Sequence, residues 1–506
     1  MKITNIYVAF VLAGVSGVLL FLSMPSYDIP YLAWFGFVPL LLVLKGKSPK
    51  QQFFLIYTTT IIWSIGTHIW YPAIFSHWGY LIMVAGGLFY GGFFKMGYDM
   101  QSRIPSWYSI LAIPITFSVF EWVKTVIPFT KTWWIELLAK SQWTVPENLQ
   151  ILSVTGFIGL SFLILLTNVC LAEILQVGFR DKRKLVTCLL LLILPLANFL
   201  YGSLIMKKHD NSLRNEPITI GATVDLINQD EEVLKLGSKE SAGDGYLADT
   251  DDMKQKIFQI NADLSANLVK EKPVDFIVWG ENEFMNLNTD KDLFNGLKSL
   301  SKELNAHIVA DTVWSDKDKM YDTAILTNRD GEEVGRTPKI FTLWGEEEYG
   351  FSPGPRDYPT YETAFGPVAL AVCWDRHDQS ILRNYAKNGA KLLLIPADDD
   401  FYGDERFPYF AASDAVFRAV ENHLAIGSGS TSGVAQVITP YGKMTAVSSV
   451  NERQTIVGDT FVVEDQTLYT KLGDVFAYLF AGIFLILLVI SERNKRKANK
   501  TGKTAN

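Results

Sequence analysis

Long apolar segments at both ends of the chain constrain its fold more than any other feature of the 506 residues. A helix that crosses a lipid bilayer needs roughly 20 mainly apolar residues. Eight segments approach this requirement, of which the second and the last are the shortest: Ile6–Met24, Tyr31–Leu44, Phe53–Phe75, Tyr80–Tyr98, Ser106–Phe129, Ile151–Val177, Leu185–Ile205 and Val475–Ile490. No small-residue cleavage site closes the first segment, which favours an uncleaved helix over a signal peptide. The pattern predicts a multi-pass α-helical membrane bundle of about eight spans.

Lysine and arginine clusters in the loops predict how these spans are oriented. Basic residues cluster at 45–50, 180–184 and 493–503, and such clusters favour the cytoplasmic side of a membrane. With eight spans, all three clusters and both termini lie in the cytoplasm, and the long middle segment lies on the opposite side. The predicted organisation is a bundle of about seven helices at 1–206, an extracytoplasmic domain at 207–473, a C-terminal transmembrane helix at 474–492 and a basic cytoplasmic tail at 493–506.

The middle segment predicts an α/β domain outside the bilayer. Short apolar runs such as Ile218–Val224 and Val368–Val372 alternate with charged, helix-like stretches such as Lys291–Leu304, which is typical of a central sheet covered by helices. The formal net charge of −7 resides mainly here. It argues against nucleic-acid binding, because that function needs a basic surface. The sequence has no Cys-x-x-Cys and no His-x-x-x-His pattern to support a metal site, and we predict no cofactor.

Cys373 is the best candidate for a nucleophile, because it lies outside the apolar spans and ends a short apolar run typical of a buried strand. Glu281 and Lys339 lie in separate upstream segments. A carboxylate in a partly desolvated pocket can act as general base towards a thiol. An ammonium group can stabilise a thiolate and an oxyanion. Each residue alone is more often structural or solvated, but the three together predict acyl-thioester chemistry at a membrane surface.

Sequence motifs in both halves of the chain carry a family resemblance. In the α/β half they are Trp279-x-Glu281, Lys339 with Leu343-Trp344-Gly345-Glu346, Cys373, and Arg418-Ala419-Val420-Glu421-Asn422. In the membrane half they are Leu32-Ala33-Trp34, Ser141-Gln142, and Thr155-Gly156-Phe157-Ile158-Gly159-Leu160-Ser161-Phe162. The order Glu, Lys, Cys resembles the nitrilase, or carbon–nitrogen hydrolase, superfamily. With the membrane half included, nearly the full chain resembles the apolipoprotein N-acyltransferase family, as a divergent member.

The resemblance implies an αββα sandwich for the soluble domain, a bacterial inner-membrane location and a ping-pong acyl transfer. The cysteine would take a fatty acyl chain from a membrane phospholipid, and the thioester would pass it to the N-terminal amine of a lipid-modified protein cysteine. By the same resemblance Glu281 is the general base, Lys339 the oxyanion stabiliser and Cys373 the acyl carrier. Four neighbouring residues are expected to surround this triad or to contact substrate: Glu346 or Glu347 as a further carboxylate, Trp374 and Asp375.

Several positions depart from the family's pattern. Gly280 stands where a proline is usual, Asp375 where a glutamate is usual, and the stretch after Lys339 is one residue shorter. The loop Asp398–Asp400 carries three acids, which suit a cationic acceptor or are simply solvated. Two alternatives stay open: a membrane-anchored amidase or acyltransferase that acts on another exported acyl-peptide or amide, and a non-enzymatic transporter or lipid-binding protein with a degenerate domain. The intact triad argues against the second.

Overall fold

The computed structural model describes residues 5–131, 137–177, 181–215, 217–237, 250–281, 284–285, 287–343, 345–399 and 404–500. The chain divides into two compact units. One, the helical unit, consists of residues 1–205 together with 472–506. The other, the α/β unit, consists of residues 206–471.

The α-helices of both units are numbered in chain order. They are α1 Ile6–Leu22, α2 Val38–Leu44, α3 Pro49–Thr67, α4 Tyr71–Phe75, α5 His77–Arg103, α6 Ala112–Val126, α7 Pro128–Lys131, α8 Pro146–Leu149, α9 Leu152–Thr155, α10 Phe157–Val177, α11 Lys182–Leu191, α12 Ile193–Asn215, α13 Glu231–Leu236, α14 Asp251–Glu271, α15 Lys291–Leu304, α16 Gln379–Lys387, α17 Phe407–Asn422, α18 Leu468–Leu472 and α19 Val475–Lys500. Short 3₁₀ turns occur at Pro30–Trp34, Trp107–Leu111, Leu138–Gln142, Ile227–Gln229 and Cys373–His377. Polar caps mark helix starts in the membrane half: Ser48 and Gln51 form a capping box before α3.

Five helical segments within the described residues are long and apolar enough to cross a membrane: His77–Arg103, Trp107–Val126, Phe157–Gln176, Lys182–Asn215 and Val475–Lys500. Ile6–Leu22 and Pro30–Leu44 are apolar but shorter. The predicted number of about eight spans is therefore not confirmed. The predicted span Phe53–Phe75 is divided between α3 and α4. The last span, predicted to be short, belongs to a helix of 26 residues.

A break before α2 interrupts another predicted span, and side chains from distant segments stabilise it. Asn168 of α10 donates a hydrogen bond to the carbonyl of Ala33 (2.8 Å) and accepts one from the amide of Phe37 (2.8 Å). Gln142 donates to the carbonyl of Pro30 (2.8 Å). Backbone groups in lipid have no water to bond, so an interrupted helix persists there only where protein groups satisfy them. Hydropathy carries no information about such partners.

The α/β unit contains two sheets in its described part. Their strands are β1 Ile218–Val224, β2 Phe276–Val278, β3 Phe284–Met285, β4 His307–Asp316, β5 Lys319–Thr327, β6 Glu333–Pro338, β7 Tyr361–Thr363, β8 Gly366–Leu370, β9 Leu392–Ile395, β10 Ala425–Ser428, β11 Gln436–Ile438, β12 Met444–Val447 and β13 Gln454–Thr460. The first sheet has the order β13-β1-β2-β4-β5-β6, with β3 beside β4, and the second has the order β12-β11-β10-β9-β8-β7. In both sheets the central pairs are parallel: β1-β2-β4 and β8-β9-β10.

The two sheets face each other across one buried core and are covered outside by helices. Ile220 and Val278 of the first sheet belong to the same buried cluster as Leu394 of the second. Side chains alternate along a strand, so Ile277 lies on the opposite face, in a cluster with Leu297 of α15. Helix α17 packs on β10 and β11. The αββα sandwich implied by the resemblance is therefore confirmed.

The sequence predicted the interior of this sandwich better than its edges. Strand β1 and helix α15 have the predicted bounds. Strands β6, β12 and β13, which lie at the sheet edges, were not predicted, because their residues are mostly half-exposed and form no apolar run. Edge strands have one side without a partner strand and therefore need fewer buried side chains.

Candidate active site

The ends of three strands bring the predicted triad together. Glu281 comes after β2, Lys339 directly follows β6, and Cys373 begins a 3₁₀ turn shortly after β8. Strands β2 and β6 belong to the first sheet and β8 to the second. The side chains are buried: 2% of Glu281, 2% of Lys339 and 3% of Cys373 is exposed.

Lys339 lies at the centre of an ionic cluster. Its Nζ lies 2.7 Å from Oε1 of Glu281, 2.7 Å from Oε1 of Glu346 and 3.2 Å from Oδ2 of Asp322. The amide of Lys339 also donates to the carbonyl of Asp322 (2.8 Å), which continues the pairing of β5 with β6. The carboxylates thus face a lysine rather than a metal. Across the ranges that the structure describes, no group of three or more His, Cys, Asp or Glu side chains could hold a metal ion.

Cys373 is the first residue of the 3₁₀ turn after β8 and has a strained backbone conformation. Its φ is +42°, in the left-handed region that residues with a side chain rarely adopt. Its amide donates to the carbonyl of Pro396 (2.8 Å), and its thiol donates to the carbonyl of Asp398 (3.4 Å). The turn presents the sulfur at the end of a strand, a placement similar to that of the nucleophile elbow in α/β-hydrolases.

Glu281 is held on both sides by backbone contacts. Its Oε2 accepts a hydrogen bond from the amide of Asp398 (2.9 Å), and its own amide donates to the carbonyl of Ala397 (3.2 Å). Thr431 Oγ1 donates to its carbonyl (2.8 Å). Asp398 therefore contacts both groups, because its amide donates to Glu281 and its carbonyl accepts the hydrogen bond of the Cys373 thiol. The negative charge of Glu281 also acts on the thiol, which makes this carboxylate the candidate general base.

Burial dominates the protonation of the site. It raises the pKa of the Cys373 thiol well above its usual range, and the carboxylate of Glu281 raises it further. Burial also raises the pKa of Glu281, although the ammonium of Lys339 opposes this shift. Burial lowers the pKa of Lys339, but the three surrounding carboxylates outweigh it and hold that pKa above its usual value. The resting site therefore contains a protonated thiol and a charged ammonium, and a base must remove the thiol proton before attack.

Glu346 and Glu347, which the sequence could not separate, occupy different environments. Glu346 bonds Lys339 through Oε1, and its Oε2 accepts from the amide of Leu343 (2.9 Å). Glu347 is exposed and accepts a hydrogen bond from Oγ1 of Thr342 (2.9 Å). The structure thus brings Glu346 to the triad and leaves Glu347 at the surface.

Trp374 and Asp375, which follow the nucleophile, are both buried. The ring of Trp374 stacks on Phe407, with 6.0 Å between ring centroids. Asp375 accepts hydrogen bonds from the amides of Ile340 (3.1 Å), Phe341 (2.7 Å) and Val372 (3.2 Å). Burial raises the pKa of Asp375 to about 7, although the amide donors oppose the shift. Asp375 therefore fixes the backbone that follows Lys339.

The acidic loop Asp398–Asp400 is not simply solvated. Asp399 is fully buried and forms an ion pair with Arg376, which is also fully buried. Asp398 is half-buried, and its Oδ1 accepts a hydrogen bond from Oγ of Ser432 (2.7 Å). The interpretation as a solvated loop is therefore wrong for Asp399. Asp400 lies outside the described residues.

Sequence reasoning missed two charged residues of this site, Asp322 and Arg376, and named Asp399 only as part of the acidic loop. Asp322 is buried in β5, and a carboxylate just before the apolar run Ala324–Leu326 was the available signal. Arg376 lies three residues after the nucleophile, and its partner Asp399 could be identified only from the fold.

Comparison with known proteins finds family matches in both halves of the chain. Residues 16–170 match the family described as "Apolipoprotein N-acyltransferase N-terminal domain", and residues 253–461 match "Carbon-nitrogen hydrolase". The Apolipoprotein N-acyltransferase of Geobacter metallireducens is 25% identical over 527 residues, which cover 96% of each chain. The protein of the same name from Thermotoga maritima is 22% identical over 532 residues, covering 96% of this chain and 95% of that one.

The chain belongs to the apolipoprotein N-acyltransferase family. Both the membrane half and the α/β half are shared with these relatives, since the similarity extends over nearly the whole length. Among solved structures, an amidase from Nesterenkonia sp. is 17% identical with a TM-score of 0.41, and the alignment covers 53% of this chain and 97% of that chain.

Proposed function

We propose that this member of the apolipoprotein N-acyltransferase family transfers a fatty acyl chain from a membrane phospholipid to the N-terminal amine of a lipid-modified protein cysteine. Membership of the family supports the reaction class. The observation that carries the mechanism is one buried cluster: Glu281 bonds Lys339, and Asp398 bonds both Glu281 and the thiol of Cys373. A base, a fixed cation and a thiol are the groups that acyl transfer through a thioester requires.

In the first half-reaction the thiol of Cys373 attacks the ester carbonyl carbon of the phospholipid. Glu281 accepts the thiol proton as the S–C bond forms, and the ammonium of Lys339 stabilises the negative charge that develops on the carbonyl oxygen. The C–O ester bond then breaks. Glu281 returns the proton to the leaving alkoxide, which departs as the alcohol of a lysophospholipid. The enzyme is left as an acyl-thioester.

In the second half-reaction the free amine of the acceptor attacks the thioester carbonyl. Lys339 again stabilises the oxyanion, and Glu281 accepts a proton from the attacking nitrogen. As the C–S bond breaks, the proton passes to the sulfur of Cys373, which restores the thiol and releases an amide. Glu346 and Asp322 support both steps by keeping Lys339 charged, since their carboxylates raise its pKa.

The orientation of the chain is part of the proposal. The helical spans and the family support a bacterial membrane protein. The basic clusters at 45–50, 180–184 and 493–503 favour cytoplasmic loops and termini. We therefore infer that the α/β unit lies on the extracytoplasmic side of the inner membrane, where exported lipoproteins and the outer leaflet supply both substrates.

An amidase with a water-soluble substrate is the second candidate. One relative over part of the chain is the "Citrullinase" of Francisella tularensis, 26% identical over 131 residues, which cover 25% of this chain and 45% of that protein. The thiol of Cys373 would then attack an amide carbonyl, the C–N bond would break with release of ammonia or an amine, and water would hydrolyse the resulting thioester.

Intact mass spectrometry of the protein purified from membranes separates the two. We expect a fatty-acyl adduct that hydroxylamine removes and that Cys373→Ala lacks, with acyl transfer to a synthetic diacylglyceryl lipopeptide by the wild type. An unmodified mass after incubation with phospholipid would reject the phospholipid donor and favour the amidase.

A further inference from the structure

Arg376 and Asp399 form an ion pair inside the α/β unit, and both side chains are 0% exposed. Burying two charges costs several kcal/mol of desolvation per ion, which only good hydrogen bonding offsets. Here the hydrogen bonding is incomplete: among the described residues, Nε and Nη1 of Arg376 and Oδ2 of Asp399 have no hydrogen-bond partner. A pair of this kind is a poor way to stabilise a core, since apolar side chains of similar volume are often neutral or better.

The pair connects the two segments that hold the nucleophile. Arg376 lies in the 3₁₀ turn that Cys373 begins. Asp399 directly follows Asp398, whose carbonyl accepts the hydrogen bond of the Cys373 thiol and whose amide donates to Glu281. The ion pair therefore joins the turn that carries the sulfur to the loop that orients both the sulfur and the base.

The opposite side of this loop is held equally closely. A Cβ on Gly433 would lie 2.5 Å from Cβ of Asp399, so the side chain of Asp399 packs against Gly433 as closely as a glycine allows. Ser432 Oγ donates to Oδ1 of Asp398 (2.7 Å). Ser432 and Gly433 thus hold the loop on that side, and Arg376 holds it through Asp399.

The pair also brings charge to the thiol. Besides Arg376 and Asp399, the charged groups that act on Cys373 are Glu281 and Lys339. A guanidinium does not lose its proton in proteins, so Arg376 supplies a permanent positive charge. It lowers the pKa of the Cys373 thiol more than Asp399 raises it, against the larger effect of burial.

We propose that Arg376 and Asp399 are positioning residues for the nucleophile: their ion pair joins the turn that carries the Cys373 sulfur to the loop that carries Asp398, and the guanidinium of Arg376 stabilises the thiolate once the thiol has lost its proton. The inference rests on the proposed function only in taking Cys373 as the nucleophile. It predicts that removal of the pair leaves the domain folded but lowers the rate at which the Cys373 thiol reacts.

The test measures alkylation of Cys373 by iodoacetamide across pH, followed by mass spectrometry of the peptide that contains it, in the full-length protein in detergent. The main variant combines Arg376→Met with Asp399→Asn, which removes both charges and preserves most of the volume. A matched control combines Arg418→Met with Glu421→Gln, which removes another buried pair of the same domain (3.0 Å between Nη1 and Oε2).

In the main variant we expect alkylation near neutral pH to slow about tenfold, because the thiolate has lost the positive charge of Arg376, and the midpoint of the pH profile to rise. We expect Asp399→Asn alone to move the midpoint down, because Arg376 then acts unopposed. The control should keep the rate within about twofold. Since no acyl donor or acceptor is present, this result stands even if the phospholipid donor proves wrong.

Alkylation of the main variant at the wild-type rate and midpoint would overturn the inference. So would an equal slowing in the control, because that would indicate a general loosening of the domain. If the main variant does not fold, Arg376→Lys replaces it. Lysine keeps the positive charge but lacks the planar guanidinium with its fixed set of hydrogen-bond donors. Slower alkylation at an unchanged melting temperature would then support positioning, and an unchanged rate would refute it.

Discussion

Replacing Glu346 with glutamine tests whether the ionic cluster around Lys339 supports catalysis. The two oxygens of Glu346 hold the ammonium of Lys339 and the amide of Leu343. Glutamine keeps the shape of the side chain and one oxygen acceptor but removes the negative charge. The substitution therefore perturbs the electrostatics of the site more than its packing.

The magnitude follows from the contact with Lys339. Nζ lies 2.7 Å from Oε1 of Glu346, and a hydrogen bond to a charged group contributes about 1.5–3 kcal/mol. Because 25% of the Glu346 side chain is exposed, solvent screens the contact, and the lower value of about 1.5 kcal/mol applies. Since about 1.4 kcal/mol corresponds to a tenfold change in rate, we expect acyl-enzyme formation to slow about tenfold.

The same substitution should shift the pH dependence in a defined direction. Burial raises the pKa of Glu281, and the negative charge of Glu346 contributes to that rise. With the charge removed, the pKa of Glu281 falls, so the carboxylate is available as a base at lower pH. The acid limb of the rate profile should therefore move to lower pH.

The assay is the single-turnover appearance of the hydroxylamine-sensitive acyl-enzyme after mixing with phospholipid. Glu347→Gln is the matched control, because Glu347 is the adjacent residue, is exposed and bonds only Thr342 among the contacts that the structure records for it. We expect it to keep the wild-type rate within about twofold. Equal losses in the two variants, or an acid limb that moves to higher pH, would refute the assignment of Glu346 to the cluster.

Two further predictions concern residues that shape the site without reacting. Asp375→Asn should lower the free energy of unfolding by about 2 kcal/mol. Both carboxylate oxygens accept amide hydrogens, and the NH₂ group of asparagine would face one of these donors. An unchanged thermal melt would contradict this prediction. Gly280→Ala should also destabilise the α/β unit, by about 1–3 kcal/mol, because its Cβ would lie 2.5 Å from Oγ1 and 2.7 Å from the amide nitrogen of Thr431. Gly482→Ala, whose Cβ would have no neighbour within 4 Å, should show no such loss in the same thermal melts.

The chemistry of the candidate site could be predicted from the sequence because it depends on the residue types at strand ends. Apolar runs before Glu281 and Cys373 marked the strands, and a thiol, a carboxylate and an amine in that context indicated acyl transfer. The interior strand β1 and the amphipathic helix α15 were predicted for a similar reason, since burial on one face produces a local pattern.

Other features could not be predicted from the sequence pattern, because they depend on contacts between distant segments. Glu346 and Glu347 are adjacent in sequence, and only the turn at 345–350 aims one of them at Lys339. The partner of Arg376 lies 23 residues away. The break before α2 depends on Asn168, which lies 135 residues from Ala33 and whose amide replaces the helical hydrogen bonds that are lost there.

Hydropathy and residue chemistry are local properties, so the amino-acid sequence alone indicated apolar helices, an α/β domain and a candidate thiol nucleophile. Only the folded chain shows which carboxylates surround Lys339, where the helices break and that Asp399 is buried against Arg376. Those outcomes depend on packing and desolvation, whose energies are set by atoms that only the fold brings together.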